Sequence, residues 1–421
     1  MEQAYRCFLA HSYAGPVIDD RVPLAAAFGA AARELRERGV NEPGAVLPPL
    51  TGDRDRDWTA FARRFGPLLD ALPDRTVRSA VAVAAIRGMA ASLHDDHVVV
   101  VHRTSNPTHP PGHYNWGFGF RPSELPEPNG DTSKLTDPPY LSDVGKDTPA
   151  SRAGLRTGDV LLALNGVPMF TNGIANAGQW KFLDQGYPQA TPVRFTVRRP
   201  TTGKDLNVTV KPGLLPIVAP PAQGRLVADG IAEVPVTTFQ PGGAQQALTA
   251  IAALTAKYGH PLKGVILDLR DNAGGMDTEV SKLLGAFVHG KTYSSFCDVR
   301  GACRPQRTDD STPLLNAKLV ALIGNGCASA CDAFAMAVKD LRLGTLVGDR
   351  TRGVASGGAD AYSLDDNATT LMMPATHALG ANGEIFDGIG VPADYRQPLT
   401  PLDVATGKDP AVAKAVTLLT H

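Results

Sequence analysis

The sequence predicts a multidomain α/β protein: an N-terminal helical domain, a β-rich module and a C-terminal α/β domain in succession. Three observations carry that expectation. Residues 1–104 place apolar side chains at helical spacing, residues 113–212 hold short alternating strands between turn signals, and residues 223–421 alternate buried-type strands with amphipathic helices. A chain of 421 residues has room for two or three such units.

Apolar residues make up 43% of the chain and charged residues 20%, a balance that builds a core rather than a disordered chain. The formal net charge is -1 and no cluster of five Lys or Arg occurs, so nucleic acid and anionic membrane are excluded as partners. No apolar run approaches the ~20 residues of a transmembrane helix. The start, from Met1 to Arg6, lacks the basic-then-apolar layout of a secretory signal, and a helix beginning almost at Met1 is what a chain lacking its native leader would show.

Five cysteines are present: Cys7, then Cys297 and Cys303 in one polar loop, then Cys327 and Cys331 four apart. A Cys297–Cys303 disulfide would accompany export, and an extracytoplasmic or secreted location is the expectation; reduced thiols in a cytosolic enzyme are the alternative. Zinc on Cys327 and Cys331 would need two further ligands, and no Cys-x-x-Cys or His-x-x-x-His pair supplies them. Buried thiols packing beside a tight turn are the simpler reading of that pair.

In the first domain, helices are expected over Leu24–Arg38, Trp58–Leu72 and Arg75–Leu93. The last runs into His94-Asp95-Asp96-His97 and then the β-branched strand Val98–Val101. Residues 105–140 read as loop apart from Gly117-Phe118-Gly119-Phe120. Beyond it, Thr148 and Pro149 suit the start of a short helix, Gly154 its stop, and Gly158-Asp159 a turn into a strand that ends at the hairpin signal Asn165-Gly166. Strands Val193–Val197 and Leu206–Val210 follow. This pattern resembles a PDZ domain, and the resemblance implies that Gly117, Phe118, Gly119 and Phe120 form the loop whose N–H groups receive a peptide's terminal carboxylate.

After a Pro-rich linker at 211–222, strand Gly230–Phe239, helix Ala244–Tyr258, strand Gly264–Leu269, helix Asp277–Val288, strand Lys318–Ile323, helix Ser329–Lys339 and strand Gly344–Val347 are expected. In such sheets function collects where strands end and helices begin. At one junction, Leu269-Arg270-Asp271-Asn272-Ala273-Gly274-Gly275, paired glycines let backbone N–H groups face a ligand. At the other, Ile323-Gly324-Asn325-Gly326-Cys327-Ala328-Ser329, a single serine stands at the first turn of a helix, as in a nucleophile elbow, although an ordinary N-cap serine would look the same.

The two junctions in this order, with Gly348–Gly353 and Gly388–Asp394 after them, resemble the tail-specific (C-terminal processing) and tricorn-type serine peptidases with an internal PDZ domain. The resemblance implies a crotonase-like, ClpP-type catalytic core and a serine endopeptidase for unfolded or C-terminal protein segments that needs no metal or organic cofactor. It implies Ser329 as nucleophile, with N–H groups of Ala330 and of Gly274 or Gly275 stabilising the oxyanion. Losing one such donor costs about 3–4 kcal/mol of transition-state stabilisation.

Tail-specific members carry a catalytic lysine in a Gly-Lys-Gly turn; the matching position here is Val354, which takes no proton. The tricorn-type branch implies instead His97 as base and an acid in the Glu/Asp-Gly-x-Gly-Val turn, Asp387 or Glu384, with Asp387 directly preceding the glycine. Imidazole titrates near neutrality and a carboxylate fixes its tautomer, so the set is chemically complete. His94, His102 and His377 are rival bases. Arg270 would reach substrate carbonyls or pair with Asp268 or Asp271. The competing function is a decayed scaffold that binds peptides or hydrophobic ligands, of which Val354 would be the first sign; an esterase is a third reading, disfavoured by the peptide-docking module.

Overall fold

The computed structural model describes residues 1–40, 46–72, 74–103, 114–126, 132, 135–183, 191–216 and 223–421. Residues 105–113, 127–131 and 133–134 of the expected loop and 217–222 of the expected linker lie outside them.

Four helices open the chain, Glu2–His11, Arg21–Glu37, Arg54–Asp70 and Arg75–Ala91. Asp53 and Asp74 accept backbone N–H bonds at the starts of the last two, which satisfies donors that the first helical turn cannot pair internally. Their apolar faces meet around Tyr5, Phe8, Leu24, Phe61 and Met89. This core is not closed by the leader alone: Leu364, Leu371 and Met373 from the far end of the chain are buried in it. The strand Val99–His102 pairs antiparallel with Thr369–Met373, which pairs in turn with Asp360–Ser363. A segment of the third expected domain is therefore built into the first.

The middle module has a four-stranded antiparallel sheet of Lys204–Val210, Val193–Arg199, Val160–Leu164 and Val167–Pro168. Asn165 and Gly166, at φ 52° and 84°, make the two-residue hairpin. Thr148 and Ser151 close a reciprocal capping box on the helix Pro149–Arg152. Two stretches expected to lack regular structure are partly strands: Tyr114–Gly117 pairs with Gly213–Pro216, and Phe120–Pro122 with Leu141–Val144. Neither shows the alternation that marks a strand in sequence. The pairing exists because residues far apart in the chain satisfy each other's backbone groups.

The last domain holds a six-stranded sheet in the order Arg225–Ala228, Ile231–Pro235, Gly264–Asp268, Lys318–Ile323, Gly344–Gly348 and Tyr395–Arg396. All neighbours after the first pair are parallel. Helices Gly243–Tyr258, Asp277–Gly285 and Ala330–Asp340 pack on one face, and Pro410–Thr420 lies on the other with Ile266, Val320 and Leu322 beneath it. The parallel strands therefore read as continuous apolar runs. A smaller sheet, Cys303–Arg307, Thr292–Cys297 and His377–Gly380, brings His377 alongside this domain. Among the described residues no helix is long and apolar enough to cross a membrane.

Leu371 is fully buried where the returning strand enters the leader core. Leu371→Ala should lower unfolding free energy by about 2–5 kcal/mol in urea titrations, whereas a surface graft of that strand would change it little.

Candidate active site

Both glycine-bearing junctions end at one place. Strands Gly264–Asp268 and Lys318–Ile323 are parallel neighbours, so the loops that leave them are side by side, and Ala328 N–H donates to Asn272 O at 3.0 Å to join them. A side chain on Gly274 would stand 2.7 Å from Ser329 Cβ and 2.7 Å from Ala328 O, so only glycine allows this approach.

Ser329 immediately precedes the helix Ala330–Asp340 with φ 58° and ψ -119°, a conformation that a residue with a Cβ adopts only under constraint. Several contacts supply the constraint. Asp332, completely buried, accepts from Gly353 N–H at 2.9 Å and Val354 N–H at 3.1 Å. Burial drives its carboxyl upward, to about 6, against the lowering effect of those donors. Cys327 and Cys331 are joined as a disulfide across Ser329. The expected pair of free thiols is corrected by this bond: a tight turn into a helix brings positions four apart within bridging distance, Cα to Cα 5.2 Å. Cys297 and Cys303 are also bridged, as expected for the loop, and Cys7 alone is a free thiol.

His97 follows Asp95 in the turn before Val99–His102, and the pairing of that strand with Thr369–Met373 carries it to the elbow. Its Nε2 lies 3.3 Å from Ser329 Oγ. Burial holds the imidazole below its ordinary value of 6.5, the pull of Asp95 and Asp387 being the smaller effect. Its Nδ1 is buried without a hydrogen bond; the nearest carboxylate oxygen, Asp95 Oδ1, is 3.9 Å away and accepts the His97 backbone N–H at 2.9 Å.

Asp387 does not touch His97 as a triad acid would. Its Oδ2 meets His377 Nδ1 at 2.9 Å and its Oδ1 accepts Ala355 N–H at 2.7 Å. His377 Nε2 meets Asp95 Oδ2 at 3.0 Å. Burial alone would lower His377, but the two carboxylate bonds outweigh it and raise the imidazole to about 9, while the same contacts hold Asp387 below the usual carboxylate range against its own desolvation. The backbone turn explains the geometry, since Gly388 N–H is tied to Gly353 O and keeps Asp387 beside Ala355. In the sequence His377 stood only among the rival bases, and no spacing marked its place between two carboxylates.

Among the other expected residues, Gly274 N–H is occupied by Asn272 Oδ1 at 2.8 Å, whereas no acceptor among the described residues takes the N–H of Gly275 or of Ala330. Glu384 is exposed and lies beside Asp340 instead. His94 is exposed, and His102 Nδ1 bonds Thr369 Oγ1 at 2.8 Å. Arg270 pairs with Asp268 at 2.6 Å and, unexpectedly, with Asp409 at 2.7 Å. Val354 is buried. In the module, Phe118 is buried against Phe120 and Phe195, and Gly119 at φ 83° lies too close to Thr148 for any side chain. Gly117 pairs with Gly213 at the end of its strand.

A family model described as Peptidase family S41 matches residues 230–397, the stretch that holds both junctions, Ser329 and Asp387. Residues 230–397 belong to peptidase family S41. A PDZ domain model matches residues 140–199 of the module that precedes this S41 domain. The chain is 27% identical over 256 residues to a carboxyl-terminal-processing peptidase 2, chloroplastic, of Arabidopsis thaliana, covering 59% of this chain and 48% of that protein. It is 25% identical over 247 residues to the carboxy-terminal processing protease CtpA of Bacillus subtilis, covering 58% and 50%. The chain thus spans about half the length of these curated relatives. Its fold resembles a solved photosystem II D1 C-terminal processing protease, with a TM-score of 0.52 at 20% identity over 90% of this chain and 93% of the other. It also resembles a solved CPAF mutant, with a TM-score of 0.61 at 12% identity over 100% and 97%.

Removing the elbow disulfide in Cys327→Ala/Cys331→Ala should cost about 2 kcal/mol of stability by the loop-closure relation, read as a lower urea midpoint. His377 gives a separate pH signature. Its raised folded value means that the stability it contributes is complete below 6.5 and lost as pH rises through about 9. Urea titrations should therefore show roughly 3 kcal/mol less stability at pH 9.5 than at pH 6.5, a decline that His377→Gln should lack.

Proposed function

We propose that the chain is a serine endopeptidase that cleaves unfolded or C-terminal protein segments through an acyl-enzyme. The observation that carries this reading is the approach of His97 Nε2 to 3.3 Å from Ser329 Oγ at a strained elbow inside an S41 domain. Ser329 Oγ attacks the scissile carbonyl carbon while His97 Nε2 takes its proton. Gly275 and Ala330 N–H groups receive the oxyanion, Gly274 being committed to Asn272. His97 then gives the proton to the leaving amine, and water, deprotonated by the same nitrogen, releases the acyl group.

The base is histidine rather than lysine: the family's lysine position is the buried Val354, and Asp332, not a cation, bonds its N–H. Asp387 is the acid of the set, acting at one remove. The unit boundaries expected above, 1–104, 113–212 and 223–421, describe leader, peptide dock and catalytic core. Gly117, Phe118, Gly119 and Phe120 form the rim of the dock, which would take a peptide's C-terminal end as an added strand. Two disulfides favour an oxidising, extracytoplasmic compartment.

A fluorophosphonate probe should label the wild type, and Ser329→Ala and His97→Ala should each cut labelling and peptide turnover at least about a thousandfold, with Val354→Ala nearly neutral. Full activity in His97→Ala would move the base elsewhere. A folded wild type that takes no label would favour instead a peptide- or hydrophobic-ligand-binding protein on the same scaffold.

A further inference from the structure

The base of this site has no carboxylate of its own. Its buried Nδ1 makes no hydrogen bond, and Asp95, the nearest acid, divides itself between the His97 backbone N–H and the ring of His377. His377 has a carboxylate oxygen at each ring nitrogen, Asp95 at 3.0 Å and Asp387 at 2.9 Å. A carboxylate only accepts, so both contacts are hydrogen bonds only when both nitrogens carry protons, which is the imidazolium form. The ring is clamped further by Tyr13, stacked on it at 3.9 Å between centroids, and Tyr13 is itself held by its N–H bond to Pro374 O. A cation on an aromatic face is a favourable arrangement.

We propose that His377 is a positioning residue for the reaction, a standing imidazolium that bridges Asp95 and Asp387, aims Asp95 at His97, and cancels one of the two negative charges around the base. This rests on the reading of Ser329 and His97 as nucleophile and base. Two unpaired carboxylates beside a buried histidine would favour its charged form, and a charged His97 accepts no proton from Ser329. With His377 in place the three groups Asp95, His377 and Asp387 sum to one negative charge. That is enough to favour the imidazolium formed in the transition state, while leaving the resting base neutral. The charged and titratable groups facing His377 are Asp95 and His97 from the turn before the strand Val99–His102, Asp387 from the C-terminal turn, and Tyr13 from the segment after the first helix; Asp96 adds a further charge near His97. Its neighbour in the sheet, Cys297, is bridged to Cys303 and does not titrate.

The test is the pH dependence of fluorophosphonate labelling of the full chain, which needs no knowledge of the natural substrate. In the wild type the acid limb should have its midpoint below 6.5, because burial lowers His97. His377→Gln keeps hydrogen-bonding capacity and removes the charge. It should lower the labelling rate at pH 7 at least about tenfold and raise the midpoint by about one pH unit or more, the size of shift that a neighbouring charge commonly produces. Asp387→Asn removes a negative charge instead and should move the midpoint down. A purely structural role for His377 would lower the rate and leave the midpoint in place, and that result overturns the proposal. If His377→Gln does not fold, nitrogen NMR of histidine-labelled wild type decides: one imidazole should be doubly protonated at pH 7.5, and finding none overturns the proposal. Wild type that takes no label at all would sink the base assignment itself, a failure distinct from an acid limb that His377→Gln leaves unmoved.

Discussion

The antiparallel pairing of Val99–His102 with Thr369–Met373 is the contact on which the site depends. It seats a strand from the end of the leader against one that returns from the C-terminal domain, and it brings together His97 and Ser329, 232 positions apart. The pairing is stabilised from below by burial of Leu371 and Met373 among the leader's helices. Loop-closure entropy grows only slowly with the length of chain enclosed, so such a distant pairing is affordable once a core rewards it. The leader is consequently part of the site around Ser329 rather than an appendage to it.

A second constraint acts on Ser329. Ser329 is held at positive φ by a disulfide across it, by the buried Asp332 carboxylate that gathers N–H groups of the 353–354 turn, and by glycines that let the two junction loops touch. Asp332 links the helix start to the turn that carries Val354. The turn carries a buried valine whose N–H bonds the Asp332 carboxylate, and the imidazole arriving from the leader stands beside Ser329. Local strain and long-range docking are thereby matched: one presents the hydroxyl, the other the imidazole.

The electrostatics of the site run through alternating charges rather than a single acid–base contact. Asp387, His377 and Asp95 form a chain of bonds that ends 3.9 Å short of His97 Nδ1. Desolvation pushes His97, His377 and Asp387 toward neutrality, lowering the two imidazoles and raising the carboxyl; pairing reverses it for His377 and Asp387, and His97, which lacks such a pair, remains lowered. A lowered imidazole beside a paired cluster is the arrangement that the proposed general-base chemistry near neutral pH would use.

Much of this was legible in the amino-acid sequence. Strand and helix positions in the parallel domain follow from continuous apolar runs alternating with amphipathic stretches, and Lys318–Ile323 is found with the bounds expected. The glycine junctions and the elbow serine were visible because backbone conformation at positive φ and close approach demand particular residues. The strands at Tyr114–Gly117 and Gly213–Pro216, the Cys327–Cys331 bond and the insertion of His377 between two aspartates were not. Each depends on which residues meet across large separations, and side-chain pairing at such range leaves no period or spacing in the chain. The sequence by itself determined the chemical repertoire and the local turns that present it. The resemblance pointed to His97, but tertiary structure alone decided that it faces the serine while His377 faces the acids, because that choice is made by strand register and burial rather than by residue type.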